Sequence, residues 1–109
     1  VTAIVLVDAE NVRRSVWPNI TRDELARLVH EWGVREGVSA EVVFEGRAES
    51  ADDRIVARAA ELSALGKQIW IATSDRELRN RVAPFAERLL GGGALARALL
   101  PRTQRSPET

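Results

Sequence analysis

The sequence contains no cysteine. That absence excludes disulfides, thiolate metal sites and cysteine nucleophiles, and it removes any positive argument for secretion. Histidine occurs once, as His30, so a Ser-His-Asp arrangement has only one residue to draw on. Lysine also occurs once, as Lys67, and the other basic residues are all arginine. No apolar run approaches the length that spans a bilayer, and no charged-then-apolar leader precedes the first strand. The expected location is the cytoplasm. A chain that opens on Val1, already entering a strand, is expected to be part of a longer one. The formal charge is zero, so the overall balance does not announce nucleic acid. The arginine bias has a plain explanation in a GC-rich genome and a functional one in the fit of guanidinium to phosphate. It does not separate the two.

What is present is an ordinary globular profile. With 109 residues, 45% hydrophobic and 29% charged, the chain has material for one domain around one core. Ala3-Ile4-Val5-Leu6-Val7 is apolar throughout and stops at Asp8, as a parallel strand buried on both faces would. Residues from Asn11 to Ile20 read as loop. Thr21-Arg22-Asp23-Glu24 reads as a capping box opening a helix with the apolar stripe Leu25, Leu28, Val29 and Trp32, and with Gly33 near its end. After a turn at Gly37, Glu41 to Phe44 reads as a second strand, closed by Glu45-Gly46. Ser50-Ala51-Asp52-Asp53 opens the next helix, whose core face is Ile55, Val56, Ala59, Ala60 and Leu62, with Gly66 as its stop.

Ile69 to Ala72 is a third strand, followed by a short helix from Arg76 to Val82 that Pro84 prevents from continuing. Arg88 to Leu90 reads as an edge strand, Gly91 to Gly93 as a flexible turn, and Ala94 to Leu100 as a helix. The polar segment 101–109 is expected to be a disordered tail beyond a domain spanning 1–100. Strands alternating with helices predict an α/β fold: a three-layer, Rossmann-like arrangement around a parallel sheet of four strands in the order 2-1-3-4. Such sheets place their sites outside the carboxyl ends of the strands.

Acids occupy those positions. Asp8 follows the first strand, Glu45 ends the second, Asp52 and Asp53 begin the next helix, and Asp75 follows the third strand. A single aspartate there is ordinarily a turn former or helix cap, and Asp75 has that reading open to it. Converging carboxylates stay ionised together only around a cation, and an oxygen-only set suits Mg²⁺ or Mn²⁺. With Ser50 as N-cap, Asp53 falls where it can bond back to the backbone N–H of Ser50, which leaves Asp52 for a metal. Asn11 caps a turn, or it holds a carboxylate or a substrate phosphate. Arg13, Arg14, Arg47, Arg54, Arg76 and Arg79 flank the acids as a solvated face or as a phosphate-gripping rim. His30 is expected at the surface. Trp17 is expected to cover the core with Pro18 rather than to stack on a base. The three glycines at 91–93 lack the spacing and the lysine of a phosphate loop.

Leu6-Val7-Asp8-Ala9-Glu10-Asn11-Val12, Ser50-Ala51-Asp52-Asp53-Arg54-Ile55 and Thr73-Ser74-Asp75-Arg76-Glu77-Leu78-Arg79 resemble three successive motifs of the YacP-like branch of NYN domains, relatives of the PIN-domain ribonucleases. The resemblance runs over about residues 3 to 100. It implies a metal-dependent endoribonuclease in which Asp8, Asp52 and Asp75 hold Mg²⁺ or Mn²⁺. Asn11 would then orient and Arg13, Arg47, Arg54, Arg76 and Arg79 would grip RNA phosphates, with single-stranded or loop RNA as the expected partner. The chain departs from the pattern in one place. Family members carry a further stretch, including a strand, between the acid-ended strand and the Ala51-Asp52-Asp53 helix, where this sequence has only Gly46 to Ser50. That departure leaves Glu45 unassigned and makes a non-catalytic RNA-binding adaptor the rival reading. An aspartate phosphotransfer domain is a second rival, but it needs a lysine beside the acids. A homodimer and a ribosomal or RNA-processing partner stay open.

Overall fold

A computed structural model describes residues 2–100 of the chain. The expected tail, 101–109, lies outside the described residues. The elements run β1 (Ile4–Asp8), α1 (Ala9–Arg13), α2 (Arg22–Glu36), β2 (Ser39–Val43), α3 (Ala51–Ala64), β3 (Ile69–Ala72), α4 (Arg76–Val82), β4 (Arg88–Leu90) and α5 (Gly92–Leu99). The four strands form one parallel sheet in the order β2-β1-β3-β4, as the alternation of strands and helices predicts.

β1 lies in the middle, and its side chains explain why. Val5 and Val7 pack on one side with Leu25, Leu28, Val29 and Trp32 of α2 and Leu95, Ala96 and Leu99 of α5. Leu6 points the other way, into Ile55, Ala59 and Leu62 of α3 and Leu78 and Val82 of α4. A strand with both faces covered has no use for alternation, which is why Val5, Leu6 and Val7 are all fully buried. The result is three layers, helices on either side of the sheet.

Caps set the helix ends. Thr21 Oγ1 accepts from the N–H of Glu24 at 3.1 Å, but the Glu24 carboxylate turns to Arg27 instead of closing the box. α2 passes through Gly33 and stops at Gly37, which takes φ 70° and returns its N–H to the carbonyls of Gly33 and Val34. That left-handed conformation favours glycine.

Four expectations need correction. Residues 11–13 are not loop: they belong to a short helix, Ala9–Arg13, directly beyond β1, held by the buried Ala9 and Val12. The second strand runs over Ser39–Val43, because its register is set by pairing with β1 rather than by its own apolar residues. Gly91 to Gly93 is no flexible turn, since Gly91 is the N-cap of α5 and the next two residues are in its first turn. Trp17 does not cover the core and is 90% exposed. No helix among the described residues is long and apolar enough to cross a membrane.

Candidate active site

Asp8 is the last residue of β1, paired across to Val43 of β2. It is one of two buried polar residues in the described chain, and Thr73 is the other. The two meet: Thr73 Oγ1 donates to Asp8 Oδ2 at 2.8 Å. The same hydroxyl oxygen accepts the backbone N–H of Asp75 at 3.1 Å. Asp75 Oδ1 in turn accepts the N–H of Leu78 at 2.9 Å and caps α4. The capping reading of Asp75 is therefore correct for one of its oxygens. One threonine hydroxyl joins the acid at the end of β1 to the acid-bearing turn after β3.

Asp52 comes in from the third side, on the first turn of α3. Ser50 Oγ accepts from Asp53 N–H at 3.1 Å, so the cap forms on the residue the sequence indicates. The Asp53 carboxylate pairs with Arg81 at 2.8 Å instead of bonding back to Ser50 N–H. Asp52, half-buried, remains beside the acids. Burial pushes its carboxyl above the usual range, and the negative charges of Asp8 and Asp75 push it further. Arg81 eases that shift and Glu45 adds to it. Asp8 is also raised, first by burial. The Thr73 bond and the N–H of Asn11, which faces the carboxylate without closing a capping bond, oppose the rise. Asp75 adds to it and Arg14 eases it.

The expected shared group of metal ligands is not formed. Among the described residues, no three acids or imidazoles stand close enough to hold one ion as they are placed. The donor set itself fits a hard divalent cation. It is all oxygen, and beyond the burial that chiefly raises Asp8 and Asp52, the carboxylate charges that add to the rise are what a cation would relieve.

Asn11, in α1, ties the segment after β1 to the loop after β3. Its Oδ1 accepts the N–H of Ser74 at 2.9 Å, and Ser74 Oγ accepts the N–H of Gly92 at 2.7 Å. With its oxygen so engaged, the Asn11 amide nitrogen is the end left to donate.

A family model for the YacP-like NYN domain matches residues 26–89. The chain belongs to that family. NYN domains are part of the PIN-like nuclease superfamily. The matched stretch holds Asp52 and Asp75 but stops short of Asp8, Asn11 and Gly92. The crystal structure of Rae1 (YacP) from Bacillus subtilis is similar over 90% of this chain and 75% of that one, with a TM-score of 0.70 at 23% identity, and it shows the same fold. A search of curated proteins finds no match.

The arginines of this NYN domain divide into two groups. Arg13 is half-buried, with Nε on the carbonyl of Ile20 and Nη1 on Glu10, both at 2.6 Å. Arg54 donates to the carbonyl of Phe44 at 2.8 Å. Both brace the fold through these bonds. The side chains of Arg47, Arg76 and Arg79 make no such bond among the described residues, and Arg47 and Arg76 are exposed. Arg14 is exposed too; its Nε donates to the carbonyl of Glu10 at 3.1 Å, and its charge reaches Asp8. His30 is exposed, as expected. Sequence reasoning missed Thr73, Ser74, Gly92 and Arg81. Thr73-Ser74 directly after an apolar strand was the available signal, since small hydroxyls at a strand end bond to neighbouring turns.

Proposed function

We propose that this NYN domain hydrolyses RNA phosphodiester bonds at the carboxyl edge of its sheet, with Asp8, Asp52 and Asp75 holding Mg²⁺ or Mn²⁺. The observation that carries the reading is a buried carboxylate, Asp8, lying in the field of two others delivered by separate segments. When bound, such an ion supplies charge neutralisation at the phosphate and a more acidic water. The residues of the chain do the rest. Thr73 fixes the Asp8 carboxylate by donating to Oδ2, and the helix cap fixes Asp75. Asn11 presents its amide N–H groups at the edge where a phosphate oxygen would lie. Arg14, Arg47, Arg76 and Arg79 supply positive charge for flanking phosphates. The open edge suits single-stranded or looped RNA better than a helix groove.

The test is cleavage of a labelled single-stranded RNA pool by purified protein with Mn²⁺. Cutting that chelation stops and that Asp8→Asn removes supports the reading. A pool left intact favours an RNA-binding adaptor, the reading that the unformed metal-ligand group favours. Phosphotransfer finds no support here, because Lys67 precedes β3 and so lies toward the opposite edge of the sheet.

A further inference from the structure

Trp17 is the most exposed of the three tryptophans. Trp32 is 7% exposed in the core, and Trp70 is half-buried with the Arg88 guanidinium 4.8 Å from its ring, while Trp17 is 90% exposed. A large apolar ring left in water is unusual, and it calls for a partner.

The segment that carries it is braced on both sides. Arg13 Nε holds the carbonyl of Ile20 at 2.6 Å, closing the loop across its base. Glu10 takes Arg13 with one oxygen and Arg22 with the other, the latter at 3.4 Å. Val16 packs on the core, and Ser15 Oγ donates to the carbonyl of Asn11 at 2.7 Å. The indole therefore stands out from a fixed frame.

That frame sits at the acidic edge. Ser15 lies against Gly92 and bonds to Asn11, and Arg14 is close enough for its charge to act on Asp8. At the other end of the loop, Arg22 lies over the ring of Phe44, 5.5 Å away, just past the end of β2. Both ends of the loop are thus at the carboxyl side of the sheet. Two residues of chain reach about 7 Å, so Trp17 stands within that distance of Ser15, which itself bonds to Asn11.

We propose that Trp17 is a stacking platform for an unpaired base of RNA whose backbone runs past Arg14 into the acidic edge. This rests on the nuclease reading for its RNA ligand but not on cutting. An exposed indole three residues along from the exposed Arg14 offers a face for a base near a charge for its phosphate, and stacking of this kind tolerates any base.

The test uses Asp8→Asn protein, so that nothing is cut, and reads anisotropy of a labelled single-stranded oligoribonucleotide. Adding Trp17→Ala should weaken binding by about five- to a hundred-fold, the range found for loss of one base stack. Trp17→Phe should retain most of the affinity. On a strand of the same length lacking bases, all three proteins should bind alike. Equal binding of the intact strand with and without the indole would overturn the proposal, as would equal losses on both strands. A dimer that Trp17→Ala turns into monomer would overturn it as well, by assigning the indole to a second copy of the chain. Because the ring is exposed, the melting temperature should not fall, which separates lost stacking from lost fold. Absence of cleavage by the wild type would leave this binding result intact.

Discussion

Gly92 lies so close to Asn11 that a β-carbon on the glycine would overlap Asn11 Oδ1. The obstructed atom is the end of a flexible side chain, so the fold can yield there by letting the amide swing away. Gly92→Ala should then displace the Asn11 amide from Ser74 while leaving the helix intact. Alanine is the better helix former, so stability should change by no more than about 1 kcal/mol. Cleavage should fall by about 10²-fold, the scale of loss when a positioned group moves by an ångström. Rates and melting temperatures of Gly92→Ala and Gly93→Ala check this, since Gly93 has only the tip of Arg97 nearby. Equal activity in both would contradict it.

The two adjacent aspartates of α3 should separate cleanly. Asp52→Ala removes a group that senses Asp8 and Asp75, and it should abolish cleavage. Asp53→Ala removes an exposed partner of Arg81, an ion pair of the sort that contributes little, and it should leave cleavage near wild type. Single-turnover rates on one RNA decide it.

Asp8 predicts an unusual pH response. Burial raises its carboxyl in the folded chain above the ordinary value of 3.8. The folded chain therefore keeps a proton at a pH where the unfolded chain has lost it. Its contribution to stability is full below 3.8 and is lost as pH rises through the raised value. At neutral pH Asp8→Asn should melt higher than wild type, and the gap should close as pH falls. Thermal melts across that range check the sign. Mn²⁺ should narrow the gap at neutral pH by stabilising the wild type alone.

Arg13 and Arg76 should fail differently. Arg13→Ala unties the loop from Ile20 and Glu10 and should lower the melting temperature. Arg76→Ala should leave it unchanged, weaken RNA binding and reduce the dependence of binding on salt by about one phosphate contact. Titrations at several salt concentrations distinguish them.

Much of this was legible in the sequence, because the dominant forces are local or periodic. Runs without alternation, such as Val5-Leu6-Val7, announce a doubly covered strand, and Ser50 announces its cap. Asp8 and the Asp75 turn could be placed together because sheet topology alone brings strand ends together. The arginines could not be sorted, since Arg13 differs from Arg76 only in what folds back to meet it. Nor could Trp17 be placed: Trp-Pro reads as a cover, and only the bracing of its loop by Glu10, Arg13 and Ser15 leaves the ring in solvent. Gly92 was invisible for a similar reason. Its importance lies in a contact with Asn11, far off along the chain, that no spacing rule encodes.

The order β2-β1-β3-β4 bears on how the protein comes into being. Every neighbouring pair of strands is parallel, so no hairpin is available to start the sheet. During synthesis β1 leaves the ribosome first, yet Ile4 must wait for Ser39 and then for Ile69 before both its edges are paired. Thr73 emerges later still. A nascent chain therefore cannot bring Asp8, Thr73 and the Asp75 turn together until the segment through β3 and the turn after it has been made.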